Sequence, residues 1–173
     1  MDGSRPRRTS SLLPCNPSSP LPPPYPSFRS TGHTAGIVFS PLAPQRICLR
    51  GRLDLLVELD SAQTVRGLTP QLTALARLDV RGVIVTAAGG TDSDFVSRFF
   101  APAAGIDEDP VTASAHCSLA PYWSRKLGKN ALRGLQVSAR GGRVEAHVRG
   151  DRVSISGRAV TVAQGELLVS PPG

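Results

Sequence analysis

Between residues 107 and 114 the chain sets three carboxylates, Asp107, Glu108 and Asp109, ahead of Pro110 and the short polar run Thr112, Ala113, Ser114. Beyond them the residues turn small and apolar at helical spacing, so this is a loop entering a helix. A helix amino end leaves backbone N–H groups without partners and carries positive potential, which suits a small carboxylate or phosphate. Asp109, beside such a seat, has the chemistry to hold a substrate ammonium or to move a proton. The competing reading is that Asp109 and Ser114 only cap the helix, a commoner use of those residue types. Thr112 and Ser114 are equally eligible as the cap itself.

The helix that would position these groups is legible in outline. Ala115, Leu119, Tyr122 or Trp123, and Leu127 recur at intervals of three and four, Cys117, Ser118 and Ala120 keep the remaining circumference small, and Gly128 supplies a stop. With so little charge over three turns, the helix should be enclosed on several sides, and Pro121 inside it should introduce a kink. His116 and Cys117 look like a base and nucleophile, but adjacent helix residues point about 100° apart, so Cys117 reads as packing.

The run Glu-Asp-Pro-Val-Thr-Ala-Ser-Ala-His-Cys-Ser-Leu-Ala-Pro-Tyr-Trp at 108–123, with Ser-Arg-Phe-Phe-Ala-Pro upstream and Gln-Val-Ser-Ala-Arg-Gly-Gly downstream, closely resembles the second half of PhzF-like proteins, the phenazine-biosynthesis-like isomerases. The likeness covers roughly residues 50 to 169. It implies an α+β fold in which an antiparallel β-barrel-like sheet wraps around a central helix, one lobe of the diaminopimelate epimerase-like pair that encloses the family's active site. It further implies that Asp109 is catalytic and that Thr112, Ala113 and Ser114 contact substrate. The family usually has glycine where this chain has Ala113. By the same resemblance the reaction is a proton-transfer isomerisation of a small carboxylate-bearing molecule that needs no metal and no cofactor, and homodimers are common.

Residues 1 to 44 are different in kind. They hold ten of the sixteen prolines, many serines and one acidic residue, Asp2, and bury too little apolar surface to offset the entropy of ordering, so they read as a disordered tail ahead of a lobe at 45–173. Within 1–52 lie seven arginines and one aspartate, leaving thirteen basic and twelve acidic residues in the remainder. The net charge of +7 and the pI near 10.3 therefore come mostly from the first 52 residues. With no basic face interleaved with aromatics, a nucleic-acid partner is not expected. Nor is a membrane, since no apolar run approaches the ~20 residues that would cross one. An arginine- and serine-rich, acid-poor leader also has the composition of an organellar transit peptide, the alternative to a cytoplasmic location. Inside it, Thr31-Gly32-His33-Thr34-Ala35 faintly resembles the family's first-lobe Cys-Gly-His-Ala-Thr segment, which would make His33 a remnant of the opposite wall.

From Leu53 the pattern becomes that of a folded domain. Leu55 to Leu59, Gly82 to Ala87 and Asp94 to Phe100 read as strands, Ser61 to Val65 as a helical turn, and Thr69-Pro70 as the start of an amphipathic helix through about Leu78. After the central helix, Leu135–Ala139, Arg143–Arg149, Arg152–Ser156, Ala159–Ala163 and Gly165–Val169 form an antiparallel meander divided by Gly-containing turns. Val144, Ala146 and Val148, with Val153 and Ile155, should face a core, and His147 should face solvent. The three cysteines, Cys15, Cys48 and Cys117, are too scattered for a disulfide framework, which favours a reducing compartment, and no Cys/His grouping has zinc spacing.

The family's principal acid/base is a glutamate in the first lobe, and its Ser-Glu-Thr segment has no counterpart here, Asp2 being the sole acid before Asp54. The sequence is thus expected to encode a truncated isomerase lobe that is inactive alone. The alternative is a noncatalytic binding or dimerisation module.

Overall fold

The computed structural model describes residues 29–30 and 45–166. Eight strands, β1 (Arg29–Ser30), β2 (Gln45–Arg50), β3 (Asp54–Leu59), β4 (Gly82–Ala88), β5 (Phe95–Phe100), β6 (Ala131–Gln136), β7 (Gly142–Arg149) and β8 (Arg152–Ser156), form one open sheet in that order. Among the described residues the helices are α1 (Ala62–Gly67), α2 (Leu72–Leu75) and α3 (Ala113–Leu127), with a 3-10 turn at Pro102–Ala104.

The sheet is mixed, not antiparallel throughout as the sequence pattern suggested. β3 pairs parallel with β4, and β5 parallel with β6. Each parallel junction has a helical crossover between its strands, α1 and α2 in the first case and α3 in the second, as parallel strands require. A helix lying between two strands in sequence was itself the sign of this arrangement.

The crossovers cover opposite faces. Val57, Leu59, Val83, Val85, Ala87, Val96 and Phe100 pack with Val65 of α1 and Leu75 of α2. Their neighbours in the strands, Leu56, Ile84, Phe95 and Phe99, pack with Ala115, Leu119, Tyr122 and Trp123 of α3. Burial on both faces is why β3, β4 and β5 read as continuous apolar runs. β7 has one covered face and alternates: Val144, Ala146 and Val148 are buried, while Arg143, Glu145 and His147 are exposed. In β8, Val153 and Ile155 are half-buried.

Several local expectations differ from the structure. The helix expected from Thr69 to Leu78 is only α2, four residues long and without a side-chain cap. β6 begins at Ala131, four residues before the expected strand. Leu127 is exposed on the last turn of α3, just before Gly128 ends the helix at φ 66°. Residues 159–163 form no strand and are exposed. The strand expected at 165–169 lies mostly outside the described residues, as do His33 and most of the 1–44 tail, of which Arg29–Ser30 pairs with Arg50 and Leu49. No helix among the described residues is long and apolar enough to cross a membrane.

Candidate functional site

The loop ahead of α3 is held from every side. The Arg98 guanidinium donates from Nε and Nη2 to the Glu108 carboxylate at 2.7 and 2.9 Å, donates from Nη1 to the Leu68 carbonyl at 2.6 Å, and lies 4.8 Å from the Phe100 ring centroid. The Asp109 N–H donates to the Phe99 carbonyl at 3.0 Å. Ser138 Oγ donates to the Pro110 carbonyl at 2.7 Å. Gly142 lies so close to Val111 that a Cβ there would come within 2.3 Å of a valine methyl.

Gln136 organises the centre of this loop. Its side-chain carbonyl accepts from the Thr112 N–H at 2.9 Å, and its amide donates to the Asp109 carbonyl at 2.6 Å and to Thr112 Oγ1 at 3.1 Å. The Thr112 hydroxyl in turn donates to Asp109 Oδ2 at 2.5 Å. Thr112 is the N-cap residue, yet its hydroxyl is spent on Asp109, and the helix end has no side-chain cap and no acidic residue in its first turn. Helix geometry leaves the N–H groups of Ala113, Ser114 and Ala115 without intrahelical acceptors. The positive end of α3 is therefore not neutralised from within.

It also opens outward. Ala113 and Ser114 are exposed and Asp109 is half-buried, with Oδ1 free of hydrogen bonds among the described residues. Ala113 is the first residue of α3. Ser114 Oγ accepts from Arg81 Nη2 at 3.1 Å, and Arg81 is clamped on Asp54 by bonds of 2.9 and 2.5 Å. The hydrogen bond to Asp54 raises the Arg81 pKa, keeping a fixed positive charge beside the helix end. Asp109 is thus tied to buried Thr112, while Ala113 and Ser114 are exposed on the first turn and Arg81 bonds Ser114.

His116 and Cys117 face different surroundings, as the helical angle between them requires. His116 is fully buried, its Nδ1 2.8 Å from the Thr112 carbonyl. Since a carbonyl only accepts, Nδ1 carries the proton and Nε2 is a bare acceptor with no partner. Burial lowers the ring's pKa, so it stays neutral. Cys117 is exposed and not the packing residue the pattern suggested, because it falls on the side of α3 turned away from the sheet. Partial shielding of its thiol raises the pKa, the opposite of an activated nucleophile.

Gln136 and Arg81 were not singled out from sequence. A glutamine in register with Leu132 and Gly134, on the side of β6 that faces α3, was the available signal for the first. Arg81, placed just before an apolar strand, gave none. Elsewhere, a shallow groove of about 400 Å³ crosses the solvent side of β6–β8 past Lys129, Arg133, Glu145 and His147. Its lining includes neither Asp109 nor residues 112–114.

An open mixed sheet carries one largely buried helix whose first turn is exposed beside Asp109 and Arg81, and together they make an α+β lobe. The family model of phenazine biosynthesis-like proteins matches residues 29–165, and the chain belongs to that family. It is 59% identical over 116 residues to an uncharacterized isomerase of Pseudomonas aeruginosa, covering 67% of this chain and 44% of that protein. An uncharacterized isomerase of Halalkalibacterium halodurans is 49% identical over 121 residues, covering 69% and 46%. A PhzF family crystal structure from Enterococcus faecalis superposes with a TM-score of 0.74 at 39% identity, covering 84% of this chain and 55% of that one. The chain spans less than half the length of these isomerase relatives.

Proposed function

We propose that this chain supplies one half of a PhzF-like isomerase site. The amino end of α3 receives the carboxylate of a small molecule, and Asp109 is the acid/base of this half, in a proton-transfer isomerisation that uses no cofactor. The observation that carries the reading is the uncapped, outward-facing first turn of α3 beside Asp109. The ligand carboxylate accepts from the free N–H groups of the first turn and from Ser114, with Arg81 adding positive charge at the rim. Asp109 Oδ1 faces the ligand while Oδ2 is held by Thr112, so a C–H proton passes to Oδ1 and returns to a different carbon of the same molecule. Electrons shift within the ligand and none are gained or lost.

As a single lobe the chain turns over poorly. A lost acid/base partner costs about 10²–10⁴-fold in rate, and a site walled on one side lets water compete for every charged contact. The name isomerase, carried by relatives more than twice the length of the matched segment, supports the reaction class.

The test is deuterium exchange at carbon, followed by NMR in D₂O, with small carboxylic acids that carry an acidic C–H. Weak saturable binding, with slow exchange abolished by Asp109→Ala, is the expected result. Binding without any exchange would reduce the role of Asp109 to ligand contact. Failure of every carboxylate to shift the amide signals of Ala113, Ser114 and Ala115 would overturn the reading, and rapid turnover would overturn its single-lobe part.

A further inference from the structure

The imidazole of His116, near the amino end of α3, has no task in the chemistry proposed above. It is fully buried, its ring tilted 40° to that of Phe95 at a centroid distance of 5.8 Å, and its Nε2 lies where a Cβ on Gly134 would come within 3.0 Å. Among the described residues, Nε2 is one of two buried side-chain polar atoms without a partner, the other being Ser97 Oγ. An apolar side chain of similar volume would fill the same space and leave no acceptor unpaired. Packing alone therefore does not account for a histidine here. What accounts for it is the other ring nitrogen, whose N–H meets the Thr112 carbonyl at 2.8 Å.

That contact completes the hold on Thr112. The Thr112 carbonyl also accepts from the His116 backbone N–H, but at 3.3 Å, so the ring makes the shorter bond. The Thr112 N–H donates to Gln136 Oε1 at 2.9 Å, and Thr112 Oγ1 accepts from Gln136 Nε2 at 3.1 Å. Every polar group of Thr112 is thus engaged, from β6 on one side and from α3 itself on the other. Its hydroxyl donates onward to Asp109 Oδ2 at 2.5 Å. A turn of the Thr112 peptide would swing that hydroxyl and carry the Asp109 carboxylate with it. Gln136 resists the turn at the amide, and His116 resists it at the carbonyl.

We propose that His116 is a positioning residue for Asp109: its Nδ1–H fixes the Thr112 carbonyl, Thr112 then holds Asp109 Oδ2, and Oδ1 is left aimed in one direction. The inference rests on the reading of Asp109 as the acid/base of this half-site. His116 itself touches no ligand and moves no proton in the reaction. Burial lowers the ring's pKa, which keeps it neutral with its single proton on Nδ1.

Two variants of the full chain separate positioning from packing. His116→Leu keeps a side chain of similar volume, removes the unpaired Nε2 and leaves the Thr112 carbonyl its backbone donor, so its melting temperature should match or exceed the parent's. His116→Asn places an amide N–H where Nδ1 stood and should rescue what the leucine loses. The first readout needs no ligand: three-bond NMR couplings to the Thr112 methyl should report one χ1 rotamer in the parent and in His116→Asn, and averaging in His116→Leu. The second is deuterium exchange at carbon of a saturating carboxylic acid in D₂O. Its rate should fall by up to about 10²-fold in His116→Leu, with the dissociation constant unchanged, because the proposed carboxylate contacts do not include Asp109. Unchanged couplings in His116→Leu, exchange at the parent rate, or a parent ring protonated on Nε2 in long-range proton–nitrogen spectra would each overturn the proposal, the last even if the leucine variant does not fold. A parent in which His116 fixes the Thr112 rotamer but no carbon-bound hydrogen exchanges would overturn the acid/base reading of Asp109 instead and leave the clamp standing.

Discussion

The two ends of α3 are built on opposite principles. At the carboxyl end every strong polar group is matched. The Tyr122 hydroxyl donates to Glu58, Lys126 Nζ lies 2.6 Å from both Glu58 oxygens, and Trp123 Nε1 donates to Thr86 Oγ1 at 3.0 Å. Trp123 stacks on Phe95 at a centroid distance of 6.0 Å and meets Tyr122 edge-on at 5.5 Å. Arg125 and Lys126 sit in the last turn, where they complement the helix dipole. At the amino end, among the described residues, the first turn has no side-chain cap and one oxygen of Asp109 has no hydrogen bond. Packing and ion pairing are concentrated at one end of the helix, and the proposed binding site lies at the other, so mutations at the two ends should separate in what they damage.

The largest effect tests the carboxyl end. Trp123→Ala removes a fully buried ring and should cost about 3–5 kcal/mol of stability, read as a shift in the urea midpoint at unchanged m-value. Glu58→Gln should cost about 2–3 kcal/mol, since Tyr122 and Lys126 lose their shared anion and part of that loss is softened by the solvent exposure of Lys126. The same pair sets a pH dependence. Burial, and next the Glu58 carboxylate, raise the Tyr122 pKa. The folded protein therefore holds this proton more tightly than the unfolded chain. Its contribution is fully present below the ordinary tyrosine pKa near 10 and falls as pH climbs from there. Tyr122→Phe should flatten that alkaline decline in a pH series of denaturant melts.

Amino-end changes should be milder in stability and sharper in binding. Gln136→Leu leaves the Thr112 N–H and the Asp109 carbonyl without partners, for about 1–2 kcal/mol, and should weaken carboxylate binding by loosening the loop. Ser114→Ala, at an exposed site, should stay within about 0.5 kcal/mol of the parent stability while lowering carboxylate affinity a few-fold, measured by NMR titration. Amino-end losses of stability as large as those of Trp123→Ala would remove the distinction between the two ends.

Much of this division could be read from residue order. The entry to α3 at 112–114, its stop at Gly128, and strands within a residue or so of those expected at 55–59, 82–87, 94–100, 143–149 and 152–156 all follow from local patterns of period and punctuation. What could not be read locally depends on which segments meet. Gln136 reaches Thr112 across 24 positions, and Arg81 reaches Ser114 across 33. Nothing within either short stretch specifies the other. Residues 159–163 have a strand's alternation but no strand among the described residues beside them, and alternation without a neighbour leaves coil. The exposure of Cys117 turns on which side of α3 faces the sheet, where one step around the helix separates it from fully buried His116.

The parallel pairing of β5 with β6 has a mechanical consequence. Ser97 and Gln136 are neighbours across that junction, as are Phe95 and Gly134, so the strands entering and leaving the α3 excursion are stitched to each other beneath it. Gly134 leaves no clearance: a methyl there would meet the Phe95 ring at 2.7 Å and His116 Nε2 at 3.0 Å. The helix can neither swing nor slide without unzipping its own foundation. On the proposed reading, a ligand at the amino end of α3 would meet a helix already fixed in place by the strands on either side of it.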